Sequence, residues 1–317
     1  MQMDKSKYIL SCDWGTSSFR LRLVDVVNGN IKDEVFSDKG IASIYNDWLQ
    51  ENLNENERIG FYKGILQLFI QQIQYDVKDV PVIISGMASS TIGIKELGYA
   101  YIPFDLSGKD LVIEKLAADV FCKHEIFLLS GLRTENDVMR GEETILLGCD
   151  IESEKALVIF PGTHSKHVVV KNNVVIDFKT YMTGEFFQLL STKSLLAKSV
   201  TKNILYNEAA FVEGIKEGST NNILNASFNV RTNQLFNKHT AEENYHYLSG
   251  LLIGNELSEL LSSSIKNIVL VCSNNLLQQY ITAINVLNHK EFNIQTINAD
   301  EALIKTHIHL SKNKNLL

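Results

Sequence analysis

The sequence predicts an α/β protein of two related domains, each with a mixed sheet flanked by helices. Two observations lead to this prediction. Short buried strands alternate with helical segments along the chain, and a strand–Gly-Thr–strand pattern occurs twice, as "WGTSSFRLRL" (14–23) and "PGTHSKHVVV" (161–170). A chain of 317 residues is also long enough for two domains with sizeable cores.

The first half combines strands with a few helical segments. Its predicted strands lie at 7–12, 19–27, 30–36, 81–85 and 124–130. "VNGN" (27–30) is typical of a hairpin turn, and apolar residues at helical spacing predict a helix over 57–76. Another helix is expected to start near Asp137, which suits an N-cap and is followed by acidic residues. We place the domain boundary just before this helix, giving domains 1–133 and 134–317.

The second half opens on a strand and then becomes mostly helical. A buried strand is predicted at 156–160 and is followed by the second Gly-Thr hairpin. The pattern from 183 to about 263 is mostly helical. A strand at 267–272, a helix to about 288, and a short strand and helix then complete the chain.

Composition excludes several functional classes. A net charge of −7 without a basic block argues against nucleic-acid binding. No apolar run approaches the ~20 residues of a membrane span, and the N-terminus does not resemble a signal peptide. The four scattered cysteines fit reduced thiols in a cytoplasmic protein. No nucleic-acid or membrane partner is expected, and assembly as a homodimer is left open.

The paired hairpins predict a phosphate-binding site. Glycine allows close backbone approach to a phosphate, and turn N–H groups and hydroxyls can then donate to it. The residues expected to do this are Gly15, Thr16 and Ser17 in the first hairpin and Gly162, Thr163 and His164 in the second. Asp13 would repel phosphate unless a hard cation lay between them, which predicts Mg²⁺ there. Phe160 stands where the first hairpin has Asp13, so a nucleotide would lie across an interdomain cleft.

Four longer strings identify a family resemblance. "DWGTSSFRLRLVD", "GLRTENDVMRGEETILLG", "PGTHSKHVVV" and "TYMTGEFFQLL" resemble 2-dehydro-3-deoxygalactonokinases, as does the later "LSGLLIGNEL". These kinases belong to the sugar kinase/actin-like ATPase superfamily, whose domains are ribonuclease H-like. The resemblance implies ATP-dependent phosphorylation of 2-dehydro-3-deoxy-D-galactonate to its 6-phosphate in galactonate catabolism. Two departures are His167, where the family usually has Trp, and the Cys272–Asn275 turn, which is usually Gly-rich in the superfamily.

The expected catalytic residues follow from phosphoryl-transfer chemistry. A carboxylate must orient and deprotonate the attacking hydroxyl. Asp137 matches the superfamily's base by residue type and position, and Glu142 is the competitor. Lys166 is expected to offset developing negative charge. The alternative for the acids around Arg140 is a capped helix start.

The remaining candidates concern the two ligands. Arg133 and Arg140 suit the substrate carboxylate, because a guanidinium pairs with it bidentately, but each could instead form a salt bridge to a neighbouring acid. The other expected substrate-binding residues are Ser85, Gly86, Met87, Ser165 and Glu185. The resemblance implies nucleotide contacts for Gly250, Gly254 and Ser273, whereas close helix packing is the alternative for the two glycines. Arg22 is expected on a solvated strand face, and the role of Arg20 is left open.

Two rival functions remain at this point. One is a kinase of the same fold that acts on another sugar or sugar acid. The other is a non-catalytic sugar-acid sensor, which the altered Cys272–Asn275 turn would favour. The presence of Asp13, Asp137 and both Gly-Thr hairpins argues against the sensor.

Overall fold

The computed structural model describes residues 7–202, 205–273, 276–287 and 292–313. The strands are β1 (Tyr8–Trp14), β2 (Phe19–Asp25), β3 (Ile31–Ser37), β4 (Val82–Gly86), β5 (Ala100–Tyr101), β6 (Phe104–Asp105), β7 (Ile113–Leu116), β8 (Ile126–Leu129), β9 (Leu132–Arg133), β10 (Val138–Met139), β11 (Lys155–Phe160), β12 (Ser165–Lys171), β13 (Val174–Tyr181), β14 (Asn267–Val271) and β15 (Asn293–Ile297). The helices are α1 (Ile41–Gln50), α2 (Arg58–Ile70), α3 (Glu142–Leu147), α4 (Thr183–Thr192), α5 (Glu208–Thr220), α6 (Ile223–Ala226), α7 (Asn229–Leu235), α8 (Ala241–Leu257), α9 (Leu276–Leu287) and α10 (Ala299–Asn313). Short 3₁₀ segments lie at Glu55–Glu57, Met87–Ser89, Leu195–Ser199 and Ser258–Leu261.

The first unit is built on a sheet with the order β3-β2-β1-β4-β8-β7. β1 pairs antiparallel with β2 and parallel with β4. Side chains alternate along β1, so Leu10, Cys12 and Trp14 enter the core that contains Tyr62 and other residues of α2. The intervening residues of β1 therefore lie on the opposite face of the sheet, and Asp13 is among them.

The second unit repeats the topology of the first. Its strands run in the order β15-β14-β11-β12-β13, and β11 pairs antiparallel with β12 and parallel with β14. β11 thus corresponds to β1, and the β11–β12 hairpin corresponds to β1–β2. The predicted α/β class, with two related units that each contain a mixed sheet and helices, is confirmed.

The compact units divide the chain differently from the predicted domains 1–133 and 134–317. The first unit comprises the chain up to Asp150 and the segment from Ala299 onward, and the second comprises Ile151–Asn298. α10 returns to the first unit because it packs against α3 and β1. Thr306 Oγ1 donates to the carbonyl of Thr144 at 2.8 Å, and His307 Nδ1 lies 2.8 Å from the hydroxyl of Ser11.

The segment around Asp137 differs from its prediction. Asp137 lies in the turn between β9 and β10, where its carbonyl accepts from Thr134 N at 2.9 Å and its Oδ1 accepts from Val138 N at 2.7 Å. The helix begins only at Glu142, after Gly141 with φ 110°. The prediction of a helix start and N-cap at Asp137 is therefore wrong, because the backbone there pairs as a hairpin. α1 was not predicted from the sequence.

Four glycines allow α5 and α8 to pack very closely. A Cβ on Gly250 would lie 2.1 Å from Phe211 O, and one on Gly254 would lie 2.4 Å from Ile215 O. From the other helix, a Cβ on Gly214 would lie 2.1 Å from Tyr247 O, and one on Gly218 would lie 1.9 Å from Leu251 O. The space over Gly250 and Gly254 is thus filled by the backbone of α5. The nucleotide contacts implied for these two glycines are therefore replaced by the alternative, which is close packing of α8 on α5.

Two further features concern the chain as a whole. Within the described ranges, no helix is long and apolar enough to cross a membrane. All four cysteines are free, and Cys149 is the one that is not fully buried.

Replacing Gly250 by alanine should destabilise the second unit. The added methyl group would overlap the backbone of α5, and overpacking of this kind costs about 1–3 kcal/mol. Urea unfolding of Gly250→Ala would measure the loss. Gly64 in α2 is the control because a Cβ there would meet nothing within 4 Å, so Gly64→Ala should instead stabilise by about 0.5–1 kcal/mol. Equal stability of both variants would contradict the packing argument.

Candidate active site

The first Gly-Thr hairpin is a tight turn held by backbone hydrogen bonds. Gly15 N donates to Ser18 O at 2.9 Å, which closes the turn between β1 and β2. The start of α1 supports it from below, since Ile41 N donates to Gly15 O and Ala42 N donates to Thr16 O. The tip residues Thr16 and Ser17 remain exposed. The hydroxyls predicted to meet a phosphate are therefore presented on a fixed backbone.

Asp13 lies at the end of β1, opposite Arg20 on β2 and Ser85 on β4. Burial raises the pKa of its carboxyl group; Arg20 and Arg22 lower that pKa, while Asp300 and Glu142 raise it. The net effect is a raised pKa. Ionising the Asp13 carboxyl group therefore costs free energy, which a nearby cation would offset.

The surroundings of Asp13 fit a hard divalent cation. Carboxylate oxygens are ligands that Mg²⁺ accepts, usually beside water and phosphate oxygens. The described residues contain no group of three or more His, Cys, Asp or Glu side chains that could hold a metal by themselves. A single carboxylate suits a cation that takes its other ligands from solvent and a nucleotide.

Arg20 and Arg22 are engaged by the start of α10. Arg20 Nη1 lies 2.5 Å and Arg22 Nη2 lies 2.9 Å from Asp300 Oδ1. Arg22 is also buried, so its prediction as part of a solvated strand face is wrong. The guanidinium of Arg20 lies over the ring of Phe36, 5.4 Å from its centroid. Both arginines thus attach α10 to the sheet beside Asp13.

Two glycines bring the start of α3 against the end of β4, which in turn lies against the end of β1. Gly86 has φ 90° and Gly141 has φ 110°, a region that favours glycine. A Cβ on Gly141 would lie 3.3 Å from Gly86 Cα, and one on Gly86 would lie 2.8 Å from Trp14 O. The backbone around Glu142 therefore approaches the strand that carries Asp13. The same Cβ on Gly86 would lie 3.4 Å from Asp13 Oδ1.

Two adjacent carboxylates occupy this helix start. Glu142 Oε2 accepts from Arg140 N at 3.1 Å. Glu143 is fully buried, accepts from Gly141 N at 2.8 Å through Oε2 and from Thr144 Oγ1 at 2.8 Å through Oε1. Burial, followed by the charge of Glu142, raises the pKa of Glu143 to about 7. Sequence reasoning did not assign a role to Glu143, although it stands in a quoted string.

The substrate-side candidates have different surroundings. The hydroxyl of Ser85 is buried and lies 3.5 Å from Cys12 O, and its substrate contact stays a prediction. Met87 is half-buried. Arg140 donates to Ser89 Oγ at 2.7 Å and stacks on Tyr99, 4.2 Å from the ring centroid.

Arg133 is held in a similar way. It donates to Thr134 O at 3.0 Å and lies over the ring of Tyr101 at 5.3 Å. Neither Arg133 nor Arg140 forms an ion pair with any residue that the structure describes, so the predicted alternative of a salt bridge to a neighbouring acid is not seen.

The second hairpin is supported by α4. Its tip residues Thr163 and His164 are exposed. Glu185 N donates to Thr163 O at 3.1 Å, and Glu185 Oε2 lies 2.5 Å from His164 Nε2. Lys166 is largely buried, and its Nζ donates back to the carbonyl of His164 at 2.9 Å. Glu185, predicted as a substrate ligand, therefore pairs with the tip of the second hairpin.

Behind this hairpin lies a buried carboxylate that sequence reasoning missed. Glu256 on α8 accepts from Ser165 Oγ at 2.7 Å, His167 Nε2 at 2.9 Å and Tyr280 Oη at 2.7 Å. Thr183 Oγ1 also donates to it. Ser165 is fully buried and its proton is committed to Glu256, so its predicted substrate contact is corrected to a supporting one. A lone acid in the apolar "LSGLLIGNEL" is the signal that could have revealed Glu256.

The late turn is described only in part. Cys272 is buried, whereas Ser273 is exposed and its hydroxyl donates to Asn298 Oδ1 at 3.3 Å. Asn274 and Asn275 lie outside the described residues. The nucleotide contact expected of Ser273 stays a prediction.

Comparisons with known proteins agree on one family. The family described as 2-keto-3-deoxy-galactonokinase matches residues 13–309. A Rhizobium meliloti (strain 1021) protein named "Probable 2-dehydro-3-deoxygalactonokinase" is 33% identical over 316 residues, covering 95% of each chain. The 2-dehydro-3-deoxygalactonokinase of Escherichia coli (strain K12) is 34% identical over 186 residues, covering 57% of this chain and 61% of the relative.

A solved structure extends this similarity to the fold. The crystal structure of a Sinorhizobium meliloti protein assigned as a 2-dehydro-3-deoxygalactonokinase superposes with a TM-score of 0.82 at 30% sequence identity. The match covers 96% of this chain and 97% of the other. Both units of the fold are therefore shared with that protein.

The buried Glu143 should make stability depend on pH. Below its ordinary pKa of 4.5 both states are protonated; as pH rises to about 7, the unfolded chain releases a proton that the folded protein retains. The unfolding free energy should therefore fall across this window, by at most about 3 kcal/mol. Glu143→Gln should lack this component. Urea unfolding of both proteins between pH 4.5 and 8 would measure it, and parallel curves would contradict the assignment.

Proposed function

Because the chain belongs to the 2-keto-3-deoxy-galactonokinase family, we propose that it transfers the γ-phosphoryl group of ATP to 2-dehydro-3-deoxy-D-galactonate. The C6 hydroxyl oxygen forms a bond to the γ-phosphorus, the bond to the ADP oxygen breaks, and the hydroxyl proton leaves to a carboxylate. The products are the 6-phosphate and ADP. The observation that carries this proposal is the match to the kinase family along residues 13–309.

The two hairpins are proposed to bind the phosphates of ATP. The turn at Gly15–Ser17 and the turn at Gly162–His164 present backbone N–H groups and exposed hydroxyls on rigid supports. Asp13 would hold Mg²⁺, which when bound neutralises phosphate charge. Lys166 adds a positive charge near the second hairpin, where Phe160 replaces the carboxylate.

Glu142 is proposed as the general base in preference to Asp137. Glu142 lies close enough to Asp13 to raise its pKa, and the Gly86–Gly141 contact supports this proximity. Asp137 instead lies in a hairpin turn, where its Oδ1 accepts from the neighbouring Val138 N. A base must be within reach of both the acceptor hydroxyl and the phosphate-binding groups.

Arg140 is proposed to bind the substrate carboxylate, with Arg133 as the second candidate. Its stacking on Tyr99 and its bond to Ser89 fix the plane of the guanidinium. A guanidinium has five N–H donors, so others remain for a carboxylate. Gly86 and Met87 lie beside Ser89 and complete the proposed substrate side of the site.

The cellular location and the oligomeric state are the remaining points. We propose a cytoplasmic location, with which the four free cysteines are compatible. Assembly as a homodimer stays a prediction.

Substrate identity can be tested by ADP release with a panel of sugar acids and neutral sugars. The greatest kcat/KM is expected with 2-dehydro-3-deoxy-D-galactonate, and Asp13→Asn, run in parallel, should lose most turnover. Preference for another sugar acid would retain the kinase and change its substrate. No ADP release with any compound, despite binding of a sugar acid, would support a sensor and contradict the proposal.

The base assignment predicts unequal effects of two amide substitutions. Glu142→Gln should lower kcat by about 10²–10⁴-fold, the usual contribution of general acid–base catalysis. Asp137→Asn should change kcat far less, because its carboxylate serves the local turn. Steady-state kinetics of both variants at saturating ATP would measure this, with melting temperatures as the control for folding. The reverse ranking in folded variants would return the base role to Asp137.

A further inference from the structure

Behind the second hairpin, the buried carboxylate of Glu256 accepts four side-chain hydrogen bonds. This residue is almost completely excluded from solvent, with 3% exposure, near the end of a helix whose buried residues are mostly apolar. Oε1 accepts from Ser165 and His167, and Oε2 accepts from Thr183 and Tyr280. Burying a carboxylate is costly unless its oxygens are fully paired, so four donors around one carboxylate indicate a specific role.

The four donors come from the elements that frame the hairpin. Ser165 and His167 lie on the same side of β12, directly after the tip at Gly162–His164. Thr183 is the first residue of α4, and Tyr280 lies on α9. The carboxylate therefore joins the outgoing arm of the hairpin to α4, α8 and α9.

The first residues of α4 contact the hairpin tip directly. A Cβ on Gly184, next to Thr183, would lie 2.7 Å from Gly162 O and 2.7 Å from Thr163 Cα. The neighbouring Glu185 makes the two contacts with Thr163 and His164 described above. Glu256 thus restrains the tip from two directions, through β12 and through α4.

The hydrogen bonds favour the ionised form of Glu256. Burial raises its pKa, but His167, Thr183 and Ser165 together hold the pKa below its usual range. All four donors point at a group that can only accept. A glutamine of the same size would turn an NH₂ group toward two of them and so leave the network incomplete.

We propose that Glu256 is a positioning residue of the kinase, which holds the second hairpin and the start of α4 in the arrangement that binds ATP phosphates. It does not touch the reacting atoms. This inference rests on the proposed phosphate-binding function of that hairpin, and it gives the buried His167 a role as one of the four donors to the carboxylate.

The test compares Glu256→Gln with a control from the same helix. Asn244 is fully buried on α8 and donates to Ser199 O and Val230 O at 3.0 and 2.8 Å, away from the hairpin. Asn244→Ala should therefore lower the melting temperature without changing KM for ATP. Glu256→Gln should raise KM for ATP on the order of tenfold, because a buried hydrogen bond to a charged group is involved. Its KM for the sugar acid should change less than twofold, by about the precision of the assay.

Titration calorimetry of ATP binding distinguishes a failure of the proposed kinase function from a failure of the proposed role of Glu256. Failure of the wild-type protein to bind ATP would contradict the proposed function itself. Wild-type binding, with equal KM for ATP in Glu256→Gln and Asn244→Ala, would overturn only the role of Glu256. If Glu256→Gln does not fold, Ser165→Ala decides, because it removes a single donor on the hairpin arm. An unchanged KM for ATP in that variant would also overturn the proposal.

Discussion

Each unit depends on a central strand that pairs antiparallel on one side and parallel on the other. This arrangement places the end of β1 between Arg20 and Ser85, and the end of β11 opposite Lys166. The strand after each central strand is its antiparallel neighbour, so the two are joined by a turn of only a few residues. The backbone N–H groups of that turn therefore lie close together at the end of the strands. The phosphate binding that we propose for both hairpins rests on this constraint, because the same turn is built twice on the same topology.

The two hairpins differ in how charge is arranged around them. In the first, Asp13 lies opposite Arg20, and Asp300 holds that arginine from α10. In the second, Phe160 lies opposite Lys166, so the cation has no carboxylate in the corresponding place. This difference is why we propose a metal ion at the first hairpin and a phosphate oxygen at the second.

Two buried carboxylates, Glu143 and Glu256, and the half-buried Asp13 show how surroundings shift the pKa of a carboxyl group. Glu256 receives four hydrogen bonds, and its pKa is lowered despite burial. Glu143 receives two and lies beside the charge of Glu142, so its pKa is raised to about 7. For Asp13, burial outweighs the nearby arginines, and its pKa is raised. The number of donors and the sign of neighbouring charges, rather than burial alone, therefore decide whether the pKa of a carboxyl group is lowered or raised.

The sequence by itself determined the α/β class, the repeated hairpins and the family, because strand periodicity, turn residues and motif strings are local properties of the chain. It also identified Asp13 and the two hairpin tips as candidates. Tertiary structure alone decided that α10 joins the first unit, that Gly250 and Gly254 pack on α5, and that Ser165 faces Glu256. These outcomes depend on contacts between residues that are far apart in sequence. The local sequence pattern around each residue does not indicate such contacts. The position of Asp137 was misjudged for a related reason, since pairing between β9 and β10 outweighed a local preference for a helix start.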